Sequence, residues 1–455
     1  MRRWFDVGLF LSFLVSCTVA TADAQVSTAT LTAEEADRTP ADSPTALAAT
    51  EPVVQNAAQI EELRRRVDLL AAELEKLRSG EPQATELTDE RRQGLGLAPS
   101  AAAIYRRAVE SISFAGYGEM LLENFDRESE SGAGGAPTTR LDFLRAVLYA
   151  GYRFNDRFLF NSEIEVEHTN EIGVEFAYVD YLANENLTLR GGLVLLPMGL
   201  VNEFHEPNVF IGAKRPETEQ RILPSTWREN GAGVLGTLGI VSFRAYAVNG
   251  MNGASFRANG LRGGRQKGGK ARAANMAFVG RLDVTPTPGA LAGIALYRGG
   301  SGQDQVVLNG ARVDMGTTIA EVHGLVQLRG FDIRALFARA AIDDAGEASR
   351  ALGLAPNAPI ADTMQGAYVQ LGYNVLSQRN TTLALTPYVR YEHVDTQHAV
   401  PVGFSRATAF DGRFKTVGVE FRPISRVVLK TDYQWISNAT RTGRGQFNVS
   451  LGYAF

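Results

Sequence analysis

From Ser111 to Phe455 the chain breaks into short segments in which apolar and polar residues alternate one by one. A period of two marks a β-strand with one greasy and one polar face. The last ten residues, QFNVSLGYAF, are the plainest case: Phe447, Val449, Leu451, Tyr453 and Phe455 alternate with Gln446, Asn448, Ser450, Gly452 and Ala454. Such a strand at the end of a chain leaves an unpaired edge, and pairing it with the first strand of the set removes that edge. Sixteen candidate segments can be counted, near 111–124, 138–155, 158–169, 172–183, 186–197, 230–239, 240–250, 272–285, 290–299, 312–328, 331–342, 363–377, 380–394, 412–423, 426–438 and 445–455. Sixteen is even, as a bacterial single-chain membrane barrel requires.

The connections alternate as well. Tight turns are expected at Asn155-Asp156, Asn184-Glu185, Gly239, Thr285 to Gly289, Arg329-Gly330, Ser377 to Asn380 and Pro423 to Ser425. Between them fall long connections near 125–137, 198–229, 251–271, 300–311, 343–362, 395–411 and 439–444, with a short link at 170–171 as the exception. Short turns at one end and long loops at the other suit an outer-membrane barrel and not a soluble sandwich.

Alternation then assigns faces. Val417, Val419 and Phe421 face lipid while Glu420 and Arg422 face inward; Leu429, Tyr433 and Trp435 oppose Lys430 and Asp432; Val389 and Tyr391 oppose Arg390 and Glu392; Ile164 and Val166 oppose Glu163 and Glu165. Charges of both signs on one face are costly in a dry core, so these eight charged residues are expected to line a wet pore, for which sixteen strands leave room.

Ahead of the barrel, Met1 to Ala24 reads as a signal peptide, with Arg2 and Arg3, an apolar run from Val7 to Val19 and a cleavage site at Ala22-Asp23-Ala24. Leu14-Val15-Ser16-Cys17 offers a lipoprotein box as the alternative; either way the single cysteine leaves no disulfide or thiolate site in the body. Residues 25–58 read as a disordered linker. Ile60, Leu63, Val67, Leu70, Leu74 and Leu77 form an a/d seam that predicts a short coiled-coil helix over 59–79, and 80–110 reads as a periplasmic linker. The expected architecture is therefore all-β, a sixteen-stranded antiparallel transmembrane barrel over 111–455 preceded by that helix. The body carries 34 basic and 33 acidic residues, a balance that gives no reason to expect nucleic-acid binding.

The longest charged connection, Pro197 to Gly233, holds His205, Lys214, Arg215, Glu217, Glu219, Arg221, Trp227 and Arg228 among apolar residues such as Phe204, Phe210 and Ile222. An exposed loop has no use for those apolar groups, so the segment is expected to fold into the lumen and narrow it. A second, acid-free loop carries Arg257, Arg262, Arg265, Lys267, Lys270 and Arg272, which would either draw anions to a channel mouth or meet anionic lipopolysaccharide. His168, His205, His323, His393 and His398 show neither metal-ligand spacing nor a nucleophile motif, so no metal, cofactor or enzymatic activity is expected.

Gly94 to Phe125, Glu206 to Gly236, GLRGGRQKG at Gly260 to Gly268 and PYVRYEHVDT at Pro387 to Thr396 together resemble the phosphate-selective porin O and P type family. The resemblance covers roughly 94–455. It implies a trimeric outer-membrane porin of a Gram-negative bacterium, a pore-constricting third external loop and an arginine-lined path for anions; the acids Glu163, Glu165, Glu167, Glu392 and Glu420 on the inward face stand against phosphate selectivity. Phe455 resembles the terminal signal read by the barrel-assembly machinery. The function expected is passive diffusion of small hydrophilic solutes, with anion or phosphate preference as the finer expectation. A structural barrel anchoring the coiled coil to the cell wall or a partner is the alternative.

Overall fold

The structure, a computed structural model, describes residues 89–105, 111–135 and 138–455. The expected signal peptide with Cys17, the linker 25–58 and the helix 59–79 lie outside the described residues.

In chain order the strands are β1 (Ile112–Phe125), β2 (Thr139–Arg153), β3 (Phe158–Glu167), β4 (Glu171–Asn184), β5 (Leu187–Leu195), β6 (Arg228–Leu238), β7 (Val241–Asn249), β8 (Met276–Thr287), β9 (Ala290–Gly300), β10 (Val307–Leu308), β11 (Ala311–Arg312), β12 (Gly316–Leu328), β13 (Phe331–Ile342), β14 (Thr363–Tyr373), β15 (Ala384–Ala399), β16 (Asp411–Ile424), β17 (Val427–Asn438) and β18 (Gln446–Ala454). Three short helices are α1 (Asp89–Gly94), α2 (Glu217–Arg221) and α3 (Ala345–Ala351). All strands but β10 and β11, which form a separate hairpin in the connection from β9 to β12, close into one sixteen-stranded barrel. Each barrel strand pairs antiparallel with its neighbours, and β18 closes on β1 with Tyr117 opposite Ala454 and Phe125 opposite Gln446. The last rung is made by Phe455 itself, whose N–H donates to the Gly116 carbonyl while Gly116 N–H donates back. Closure satisfies the backbone of both outer strands, which a lipid environment demands.

The face assignment holds around the wall. In β18, Gln446, Asn448, Ser450 and Gly452 are buried inside while Phe447, Val449 and Leu451 lie on the outer side. Phe278, Ile294, Leu296, Val369 and Trp435 are exposed outward, an apolar surface that belongs against hydrocarbon. At the short-turn end Tyr152 packs on Phe154, Phe158 on Tyr181 and Phe331 on Tyr373, the position of an interfacial aromatic girdle.

Connection lengths follow the expected alternation with one departure, beside the short β3–β4 link already expected as its exception. The β14–β15 connection spans the ten residues 374–383 and is no tight turn, whereas β3 and β4 are joined by His168 to Asn170, with His168 and Thr169 at positive φ. A third finding concerns the N-terminal side. Residues 89–105, part of the span read as a linker, pack inside the wall at its short-turn end. Tyr149 Oη and Asn161 Nδ2 donate to the Ala101 carbonyl, Arg153 donates to the Ile104 carbonyl at 2.7 Å, and Tyr105 bonds Asp180. Leu97, Ala101, Ala102 and Ile104 are buried there. Gly96 turns this segment at φ +66°, where a Cβ would fall 2.1 Å from Glu203 Oε1, so glycine is needed on two counts.

Candidate functional site

Between β5 and β6 the chain leaves the wall at Leu196 and returns at Trp227, and this segment crosses the lumen. It is held chiefly through its backbone. Wall side chains reach its carbonyls from five strands: Arg145 of β2 to His205 at 2.6 Å, Arg281 of β8 to Gly199 at 2.5 Å, Arg334 of β13 to Val209 at 2.9 Å, Arg390 of β15 to Lys214 at 3.1 Å and Lys430 of β17 to Phe210 at 2.7 Å. Wall carboxylates accept from its N–H groups: Glu321 from Gly199 at 3.3 Å, Asp432 from Ala213 at 2.8 Å and Glu392 from Glu217 at 2.7 Å. Lys214 adds an ion pair with Glu123 of β1 at 2.9 Å. Anchors around most of the barrel fix a loop that by itself has only one short helix, α2.

Inside the loop Glu219 is the hub. Its carboxylate accepts from Val201 N–H at 2.7 Å and from Tyr368 Oη at 2.5 Å. Burial pushes its pKa up, opposed by those two donors. Asn202 ties the loop's two ends, donating to the Leu196 and Trp227 carbonyls and accepting from Trp227 N–H. Trp227 lies wholly buried against the ring of Tyr297. Gly199 sits at φ +75° with a notional Cβ 2.5 Å from Glu219 Oε2, so the entry to the loop admits only glycine.

The residues expected at the constriction therefore divide. Lys214, Arg215, Glu217 and Arg221 are half-buried and line open space. His205, Glu219, Trp227 and Arg228 do not: each is buried, Arg228 against Glu175 at 3.1 Å, and they hold the loop in place. The expected pore lining needs a similar correction. Glu163, Glu165, Arg390, Glu392, Glu420, Lys430 and Asp432 do project inward, but all are buried, because the inserted segments cover them and use them as anchors or because they pair with one another, as Arg390 does with Glu392 at 2.9 Å. Only Arg422 among these eight stays half-buried, paired with Glu420. Period-two alternation gives the inward face; it does not show what lies on top of it.

Open space remains on both sides of the loop. Toward the long connections one cavity of about 520 Å³ has a mixed border, with Glu119, Glu123, Asp142 and Glu167 facing Arg140, Arg145, Lys214, Arg215 and Arg262. Beside it a cavity of about 750 Å³ is bordered by Arg221, Arg257, Arg262, Arg265 and Lys267 against the single carboxylate of Glu217. At the short-turn end a cavity of about 260 Å³ has Arg92, Arg281 and Arg334 and no carboxylate among the described residues that border it. The acid-free loop of the sequence is tethered over the inserted segment: Arg265 donates to the Thr226 carbonyl at 2.6 Å and Arg262 to that of Ser225. Lys267, Lys270, Arg257 and Arg272 stay exposed. Desolvation where Lys267 borders the cavity, then the neighbouring Arg265 and Arg228, push its pKa down.

One grouping was not legible in the sequence. Glu163 of β3, Glu175 of β4 and His205 of the inserted loop converge, with ligating atoms within 4.8 Å of one another. They are separated in sequence by 12 and 30 residues, so no local spacing announces them.

No family model matches the chain. Among solved structures, Salmonella typhi OmpF in complex with daunomycin has a TM-score of 0.50 at 12% identity, covering 76% of this chain and 97% of that one. Pseudomonas putida OprB has a TM-score of 0.48 at 10% identity, over 76% of this chain and 94% of that one. An anion-selective porin from Comamonas acidovorans has one of 0.47 at 11% identity, over 76% and 99%. The OmpF likeness is one of fold: the barrel is of the outer-membrane porin type. An uncharacterized protein of Aquifex aeolicus (strain VF5) is 34% identical over 360 residues, 74% of this chain and 78% of its own length. At that identity and coverage, the chain belongs to the same family as the Aquifex aeolicus protein.

Proposed function

We propose that the protein is an outer-membrane porin through which small hydrophilic solutes diffuse passively, with anions preferred, and that it is not an enzyme. The observation that carries the proposal is the inserted segment 196–227, fixed across the lumen with two of its three flanking cavities, those of about 260 and 750 Å³, predominantly basic at their borders. Fixed cations at a low-dielectric constriction raise the local concentration of anions and lower their entry barrier. Of the acids that stood against such a preference, Glu163, Glu165, Glu392 and Glu420 are buried and do not border the open space at the basic mouth, while Glu167 is half-buried and borders the neighbouring cavity of about 520 Å³. Lys214, Arg215, Arg221, Arg262 and Arg265 are assigned to the path. Arginine's planar fork suits oxyanions, so phosphate is the finer candidate among anions.

In this reading the long connections face outward and the short turns the periplasm, where the segment that follows the signal peptide, from residue 25, would lie. Exposed Arg257, Lys270 and Arg272 at the outer rim face the lipopolysaccharide layer, and the heptad seam at 60–77 supports a homotrimer held mainly by the barrels. Purified protein in planar bilayers should give discrete conductance steps, and added phosphate should lower chloride conductance. Absence of steps from folded, heat-modifiable protein overturns the channel; steps indifferent to phosphate overturn the finer preference alone.

A further inference from the structure

The convergence of Glu163, Glu175 and His205 has chemistry that their role in packing does not explain. Each is almost completely buried. His205 Nδ1 lies 2.8 Å from the Asn202 carbonyl, which can only accept, so Nδ1 carries a proton and in the neutral ring Nε2 is an acceptor. Glu175 Oε2 lies 2.7 Å from Nε2, off its hydrogen-bonding direction, with Glu163 Oε2 at 3.9 Å. Neither His205 Nε2 nor Glu175 Oε2 has a hydrogen-bond partner. Two buried acceptors at that separation repel unless a cation lies between them, and an orphaned buried acceptor of this kind calls for a specific explanation.

The surroundings favour a metal ion over a shared proton. Each group is oriented by a second contact. Asn202 fixes the imidazole, Arg228 Nη1 holds Glu175 Oε1 at 3.1 Å, and Tyr117 Oη reaches Glu163 at 3.3 Å. Such outer partners are what hold metal ligands in register. Arg228 is held by Glu175, and Arg145 is shared with Glu119 at 3.1 Å. A space of about 10 Å³ bordered by Glu163, His205 and Glu206 adjoins the cluster, which is room for one water molecule.

We infer that Glu163, Glu175 and His205 form a divalent transition-metal site, with a water as fourth ligand, that staples the inserted loop to strands β3 and β4. One imidazole nitrogen and two carboxylate oxygens are a donor set suited to Zn²⁺, which takes nitrogen and oxygen ligands in tetrahedral geometry with one position left to water. Hard Ca²⁺ would demand six to eight oxygens, more than converge here. The assignment does not rest on the channel proposal, because binding is measured directly.

The test uses the full-length protein folded in detergent, stripped with chelator and dialysed against Zn²⁺, with bound metal counted by mass spectrometry. One equivalent per chain is expected in the wild type and in the control H398N, with affinity at least tenfold weaker in E163Q and H205N. Co²⁺ in place of Zn²⁺ should give the intense visible bands of a four-coordinate centre, and excess Mg²⁺ or Ca²⁺ should not remove them. Should H205N fail to assemble, the wild-type stoichiometry and cobalt spectrum decide alone. No stoichiometric zinc in the wild type, as a proton in the metal's place would give, overturns the assignment, as does zinc binding that H205N leaves unchanged.

Discussion

At Gly199 a single hydrogen atom decides whether the inserted loop can enter the lumen. Alanine there would meet Glu219 Oε2 at 2.5 Å and Leu223 at 3.0 Å in a left-handed backbone conformation. G199A is expected to cost about 1–3 kcal/mol, read as a lower temperature for loss of the folded, heat-modifiable band. Glu219 itself supplies a pH-dependence. Its folded pKa is raised by burial, so the native state holds the proton more tightly than the unfolded chain. Stability from this group is present below the ordinary carboxylate pKa and declines as pH rises through the raised one. E219Q removes the titration and keeps one carbonyl oxygen to accept from Val201 N–H, its amide NH2 then donating to Tyr368 Oη in place of the bond that Glu219 Oε1 accepted. The wild type minus E219Q difference in unfolding temperature should therefore move against the wild type from acid toward neutral pH, and a flat difference would contradict it. Residues such as these are the least legible in sequence. Glu219 reads as one charge among several in a polar loop; its burial depends on Tyr368, 149 residues away.

At the level of elements, strands and their facing were readable because lipid and interior impose a strict period of two on every crossing, whatever the partner. The inserted loop was readable because Phe204, Phe210 and Ile222 have no place in water. Residues 89–105 were not: GLGLAPSAAAIY has small apolar groups without period, and it is held through the carbonyls of Ala101 and Ile104. Every sequence offers carbonyls, so the signal is blank. Deleting 89–105 is expected to raise single-channel conductance by opening the short-turn end, and to lower stability because Asn161, Asp180 and Glu206 lose partners; unchanged conductance would show that this segment lies off the path. Phe455 closes the final rung between β18 and β1, so its deletion should reduce the assembled, heat-modifiable fraction, and normal assembly would remove that role.

For the whole molecule, composition is a poor guide to the field inside. The 46 basic and 50 acidic residues give a net charge of −4, yet many carboxylates are spent anchoring the loop and pairing within the wall, while arginines predominate at the borders of two of the three cavities beside the loop. Counting charges by strand face therefore placed acids in the path that burial takes out of it. Lys267, with its lowered pKa, should lose its charge earlier than an ordinary lysine as pH rises. Anion preference is accordingly expected to weaken between neutral and alkaline pH, and in K267Q that pH-dependence should shrink. The central claim is tested most directly by the reversal potential in a KCl gradient across a planar bilayer. The wild type should show the sign of chloride permeation, falling toward zero in R221Q/R262Q/R265Q; a potassium-selective wild type, or a triple variant with an unchanged potential, would contradict it.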